Sequence, residues 1–233
     1  MCTKSHLLVI LTAMESERVS SKVVRLDAEN RAEVIQLAAE VIRGEGIIAY
    51  LSDTVYGLGC DPWSKKALER LFQAKGRSPD KGVLLLISSV EMATPLVDHF
   101  PSAWSTFSRH LWPGPFTLLL PASWELPERV RGRAGKVGLR IPGSTFLREW
   151  LEAIPGPVVS TSANPSGRNI PASFEEVFNF FDGKVDLFID GGKPARTMPS
   201  TVIDLCTSPP KIVRKGDQAD LAIRLIASFR KPQ

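Results

Sequence analysis

The run Val83-Leu-Leu-Leu-Ile87 constrains this chain more than any other stretch. Five consecutive branched aliphatics of strand length leave no polar alternation for either face, the mark of a strand covered on both sides. Such a strand belongs to a sheet with other elements packed above and below it. The sequence supplies them. Apolar residues Val34, Leu37, Ala38, Val41 and Ile42 recur at helical spacing between Glu29 and Arg43, and Gly44 and Gly46 stop that helix. Further helices are expected over Lys65–Ala74, Trp104–Leu111, Phe146–Ala153, Phe174–Phe181 and Gln218–Phe229. Strands are expected at Ile47–Leu51, Phe116–Leu120, Val137–Ile141, from Val158-Val159 onward, and at Leu187–Asp190, Thr201–Leu205 and Lys211–Arg214. Strands and helices do not alternate regularly, so the chain reads as a single α/β domain on a twisted, mixed β-sheet with flanking helices.

Composition bounds the function classes. With 43% apolar and 23% charged residues in 233, the chain describes a folded soluble protein. A net charge of +4 suits acidic small molecules or a nucleic acid without singling out either. Cys2, Cys60 and Cys206 form no CxxC pair, and His6, His99 and His110 are scattered, so no disulfide framework or metal site is expected. Leu7–Leu11 is short for a signal peptide and far below membrane-spanning length, so a cytoplasmic location and no membrane partner are expected. Residues 1–22 read as a disordered extension or as a start codon placed too early, with Met14 as the true start. Residues 23–216 form the domain, and residues 217–233 a C-terminal helix and tail.

Polar residues gather at strand ends, where ligands of α/β sheets commonly bind. Ser52-Asp-Thr-Val-Tyr-Gly57 follows one strand; Lys75-Gly-Arg77 and Lys81 precede the buried one; Arg140-Ile-Pro142 ends another. Ser160-Thr-Ser-Ala-Asn164, Ser200 and Arg214-Lys-Gly216 complete the set. Each has a plain reading. Lys75 and Arg77 suit a helix C-terminus, where cations meet the carbonyl dipole, and equally a polyphosphate clamp. Arg140, between Leu139 and Ile141, is either paired with an Asp or Glu or placed to take a carboxylate or phosphate. The Ser160–Asn164 cluster is an Asx or Ser turn, or a cradle for anionic oxygens. Asp53 serves a turn as readily as a base, and no catalytic residue is assigned. No Walker loop, GxGxxG, Ser-His-Asp or Cys-His pattern is present.

Together, SDTVYGLGCD, KGR, LWPGPFTLLLP, VGLRIP, STSANPSG, PSTVIDL and IVRKG occur in an order that resembles the YrdC-like threonylcarbamoyl-AMP synthases, from about Val23 to Gly216. The resemblance implies a nucleotidyltransferase that condenses L-threonine, bicarbonate and ATP, with Mg²⁺, into threonylcarbamoyl-AMP and releases pyrophosphate. A partner transferase complex then modifies adenosine beside the anticodon of tRNA. It implies ATP binding by Lys75, Arg77, Lys81, Ser162, Asn164 and Arg214, and threonine binding by Ser52, Arg140 and Ser200. The chain departs from the family's usual pattern at Leu51-Ser52, where Pro-Thr is common, at Gly82, where a Pro is common, and at Pro199, where a Glu is usual. The alternative reading is a non-catalytic YrdC-like RNA-binding or ribosome-associated protein. Completeness of the small-molecule set favours the enzyme.

Overall fold

The computed structural model describes residues 21–78 and 82–229. The expected extension at residues 1–22 falls outside them except for its last two residues, and Lys81 lies outside them too. Among the described residues ten strands form one sheet: β1 (Lys22–Arg25), β2 (Ile48–Leu51), β3 (Tyr56–Cys60), β4 (Leu84–Leu86), β5 (Phe116–Pro121), β6 (Lys136–Arg140), β7 (Val158–Ser162), β8 (Leu187–Asp190), β9 (Thr201–Asp204) and β10 (Lys211–Arg214). Their spatial order is β1-β8-β2-β3-β7-β4-β6-β5-β9-β10. β8 pairs parallel with both β1 and β2, β4 with β6 and β5 with β9, while the remaining neighbours are antiparallel. The sheet is mixed, as the irregular element order predicts.

The helices are α1 (Arg31–Arg43), α2 (Lys65–Lys75), α3 (Trp104–Leu111), α4 (Glu128–Arg131), α5 (Thr145–Glu152), α6 (Phe174–Phe181) and α7 (Ala219–Phe229). Ser64, Ser144 and Ser173 cap α2, α5 and α6, each accepting a backbone N–H from the first turn. Among the described residues no helix is long and apolar enough to cross a membrane.

The apolar run at β4 has the two-sided cover its composition predicts. Leu85 packs into one buried cluster with Ala67, Leu68 and Leu71 of α2, Phe107 of α3, Phe181 of α6 and Ile226 of α7. Leu86 points the other way, into a cluster with Val34 and Ile42 of α1 and Phe146, Trp150 and Leu151 of α5. Side chains alternate along a strand, so consecutive residues serve the two faces.

α1 and α5 cover their face only from β1 to β4. Over β6, β5 and β9 that face is open, and the alternation changes character there. Phe116, Leu118 and Leu120 of β5 and Val137 and Leu139 of β6 enter the α2–α7 core. Their neighbours Thr117, Leu119, Lys136, Gly138 and Arg140 line a cavity on the uncovered side. Gly138 sets its floor: a Cβ there would lie 3.0 Å from Thr117 and 3.2 Å from Leu119.

Candidate active site

The cavity has a volume of about 320 Å³, within the range of roughly 300–1,000 Å³ typical of small-molecule sites. Ser52, Arg77, Arg140, Ser162, Ser200 and Arg214, which the motifs single out, all border it. They come from six separate stretches of chain, brought together by the strand order. Lys75 and Asn164 do not border it, and Lys81 is outside the described residues.

The β2–β3 turn forms one end. Ser52 Oγ donates to the carbonyl of Val55 (2.6 Å) and accepts the N–H groups of Thr54 and Val55 (both 3.1 Å). Its hydroxyl therefore closes the turn, the plain reading of such a residue. The turn presents Asp53 and Thr54 to Arg140. The guanidinium donates to Asp53 Oδ1 (2.6 Å), to Thr54 Oγ1 (3.3 Å) and, through Nε, to the Gly114 carbonyl (3.0 Å). Asp53 Oδ2 also accepts the Gly143 N–H at 3.0 Å. Both readings of Arg140 meet here: it is paired with an acid and it lines the cavity. Three of its five N–H groups are engaged by these contacts, leaving one on each terminal nitrogen for a ligand carboxylate.

Next along the sheet, Arg214 Nε and Nη2 donate to the Ser200 carbonyl (3.2 and 2.9 Å), and Nη2 also reaches Ser200 Oγ (3.1 Å). Ser200 Oγ lies 2.8 Å from Thr117 Oγ1. Burial, reinforced by the neighbouring Arg140 and Arg77 charges, pulls Arg214 below the ordinary arginine value. Those three guanidiniums therefore act within one electrostatic neighbourhood. Arg77 donates from Nη2 to the Gly82 carbonyl at 2.6 Å.

Lys75 departs from its expected place facing phosphate. It is 3% exposed, and its ammonium donates to the carbonyls of Ser162 and Asn164, the latter at 2.7 Å. Gly76, in the left-handed region at φ 59°, ends α2 and turns the chain so that Lys75 points inward while Arg77 reaches the cavity. Burial, with the Arg77 charge adding to it, pushes the Lys75 ammonium down to about 7. The amide of Ser166 also donates to the Lys75 carbonyl (2.7 Å), so helix end and loop are tied twice.

The Ser160–Gly167 loop is largely satisfied by its own atoms. Ser162 Oγ donates to Asn164 Oδ1 (2.5 Å), and Asn164 Nδ2 donates to the Arg168 carbonyl (2.6 Å). Gly167, at φ 81°, lets the chain reverse. Asn164 is a loop former rather than a wall of the cavity, and Ser160 and Ser162, two apart on β7, are the hydroxyls that face it. Tyr50 Oη, whose ring lies over the β3 glycines on the same face of the sheet, donates to Ser160 Oγ at 2.6 Å.

Sequence reasoning missed Thr117, Asp53 as the partner of Arg140, and Lys136, whose ammonium contacts Asp204 at 2.7 Å. The signal for Thr117 and Lys136 is period-two polarity within otherwise apolar strands. The signal for Asp53 is the even balance between paired and ligand-facing roles for Arg140.

Comparison with known proteins gives a consistent picture. The family model for Sua5, YciO and YrdC proteins, described as "Telomere recombination", matches residues 40–216. The threonylcarbamoyl-AMP synthase of Pseudomonas fluorescens is 40% identical over 180 residues, covering 77% of this chain and 96% of that protein. The synthase of Marinobacter nauticus is 37% identical over 174 residues, 74% of this chain and 92% of its own. Among solved structures, P. abyssi Sua5 complexed with L-threonine superposes with a TM-score of 0.81 at 32% identity over 91% of this chain. The chain spans 64% of that protein's length. E. coli YciO gives a TM-score of 0.75 at 26% identity, over 85% of this chain and 96% of its own. The chain belongs to the Sua5/YciO/YrdC family.

Proposed function

We propose that this protein is a threonylcarbamoyl-AMP synthase, a nucleotidyltransferase that makes threonylcarbamoyl-AMP and pyrophosphate from L-threonine, bicarbonate and ATP. The observation that carries the reading is the convergence of Ser52, Arg77, Arg140, Ser162, Ser200 and Arg214 on one cavity. The names of the curated relatives, matched over nearly their whole length, support the same activity. A relative of the same fold is described as binding L-threonine.

The chemistry divides over the two ends of the cavity. Arg140 holds the threonine carboxylate with its two remaining N–H groups, while Asp53 offsets part of the guanidinium charge and fixes its plane. The Ser200–Thr117 hydroxyl pair provides polar contacts for the same amino acid. Arg77 and Arg214, with the Ser160 and Ser162 hydroxyls, face the nucleotide. Threonine's amine adds to bicarbonate with loss of water, giving a carbamate. A carbamate oxygen attacks the α-phosphorus of ATP, the α–β bridging bond breaks, and pyrophosphate leaves with its electron pair. Mg²⁺ enters with ATP as part of the substrate. Positioning and charge stabilisation supply the rate, and no side chain has to abstract a proton from a weakly acidic centre.

Lys75 and Asn164 act one step back from the ligand. Both build the loop that presents Ser162, Lys75 by holding its carbonyls and Asn164 by holding its hydroxyl. The product then passes to a transferase complex that acts on tRNA, and the location is the cytoplasm. The test is pyrophosphate release by the purified protein with ATP, Mg²⁺, bicarbonate and L-threonine, each omitted in turn. Release that needs both threonine and bicarbonate is expected. Nucleotide binding without release would instead assign the chain to the non-catalytic relatives.

A further inference from the structure

The wall of the cavity beyond Arg77 carries a cation that neither the motifs nor the pairing network explains. Arg131, the last residue of α4, borders the cavity. Its guanidinium lies over the ring of Trp124, 4.4 Å from the centroid. Among the described residues no carboxylate, carbonyl or hydroxyl accepts a hydrogen bond from it, and its Nε is buried without a partner. Trp124 is itself 78% exposed, unusual for an indole that anchors no core. A cation–π stack fixes the plane of a guanidinium while leaving its in-plane N–H groups for oxygen atoms.

The position of Arg131 relative to Arg77 gives the stack its meaning. Arg77 donates to the Gly82 carbonyl. Gly82 packs against the end of α4 so closely that a Cβ would lie 2.9 Å from the Val130 carbonyl and 3.1 Å from the Arg131 backbone. The next amide, Val83, donates to Val130 at 3.0 Å. The segment that anchors Arg77 and the helix end that carries Arg131 are thus one wall. The neighbouring Lys136 is already neutralised by Asp204, and Arg140 is paired with Asp53. Beside Arg77, further charge for a polyanion at this end has to come from another cation of the wall.

We propose that Arg131, its plane set by Trp124, is a further binding residue for the outer phosphates of ATP, the group that leaves as pyrophosphate. The proposal rests on the reading of the cavity as an ATP site. Trp124 is a positioning residue that acts only through Arg131.

The test uses Arg131→Ala, Arg131→Lys, Trp124→Ala and Trp124→Phe in the full chain. Pyrophosphate release is measured against ATP and against threonine, with inorganic tripolyphosphate as the competing probe. In Arg131→Ala the KM for ATP and the inhibition constant of tripolyphosphate both rise about tenfold, the loss of one charge-assisted contact. The KM for threonine stays put and the loss falls on KM rather than kcat, as for an interaction made equally before and at the transition state. Trp124→Ala raises the ATP KM about two- to fivefold, and Trp124→Phe, which keeps an aromatic face, restores most of it. ATP and tripolyphosphate constants in Arg131→Ala within twofold of wild type overturn the proposal. Equal effects of Trp124→Ala and Trp124→Phe overturn the role given to the stack. If the wild-type protein releases no pyrophosphate, the synthase reading fails separately, and calorimetric titration with tripolyphosphate decides this one. Tighter binding to wild type than to Arg131→Ala upholds it, and equal or no binding to wild type refutes it.

Discussion

Lys75 provides a stability measurement that distinguishes a brace from a phosphate clamp. Its ammonium is buried against the Ser162 and Asn164 carbonyls and holds its proton only to about pH 7, whereas an unfolded lysine holds it to about 10.4. Between those values the unfolded chain binds more protons than the folded one, so stability rises with pH. From pH 7.0 to 8.5 the single group contributes an increase of about 1.5 kcal/mol. The Cys60 and Cys206 thiols, which burial holds protonated, act in the opposite sense because the unfolded thiol ionises first, near pH 8.5, and each takes back about 0.4 kcal/mol by the top of the window. Within pH 7.0–8.5 the Lys75 contribution outweighs the two thiols, and comparison with Lys75→Met separates it from them. Lys75→Met keeps the stem, removes the titration and leaves two loop carbonyls without their donor, a loss of about 1–3 kcal/mol. Urea denaturation followed by circular dichroism at both pH values is the assay. Wild type is expected to gain stability across the window, while Lys75→Met shows a slightly falling profile and a lower value. The same rise in both proteins would refute the argument, because the titrating group would then be another residue.

Other predictions follow from single contacts. Arg77→Ala abolishes pyrophosphate release while thermal unfolding stays cooperative near the wild-type midpoint; normal turnover would remove Arg77 from the site. Asp53→Ala leaves the Arg140 guanidinium, 5% exposed, without its acid, and destabilises by about 3 kcal/mol; a urea midpoint implying less than 1 kcal/mol would show that water or Thr54 replaces the carboxylate. Gly216→Ala places a Cβ 2.2 Å from the Pro199 carbonyl and 2.5 Å from Ser200, so the β10 end shifts. Loss of both stability and threonine-dependent turnover is expected, and full activity would contradict the geometry.

Much of the fold is legible because its helices and central strands carry strong periodicity. α3 and α6 match the expected ranges, and α2, α5 and α7 differ by a residue or so at their ends. Two strands escape the pattern for identifiable reasons. β3, Tyr56-Gly-Leu-Gly-Cys60, contains two glycines and reads as turn. The structure needs them there: a Cβ on Gly57 or Gly59 would press within 3.0–3.2 Å of the Tyr50 ring. β1 is four residues with a cation at each end, and its pairing with β8 is a contact no local pattern encodes. At the site, the motifs identify which residues gather, but not which way they face. Lys75 and Arg77 are two apart around a left-handed Gly76, and only the backbone conformation decides that one is buried and the other reaches the cavity. Ser52 and Asn164 likewise spend their side chains on their own loops.

The strand order also sets a timetable for synthesis. β1 at Lys22–Arg25 and β2 at Ile48–Leu51 both take β8, Leu187–Asp190, as a parallel partner. At translation rates of about 5–20 residues per second, β1 waits roughly 8–30 s for that partner to be made. Throughout that interval one edge of β2 and the whole of β1 present unpaired backbone groups. The nascent chain thus spends most of its elongation with an open sheet edge that only its last quarter can close.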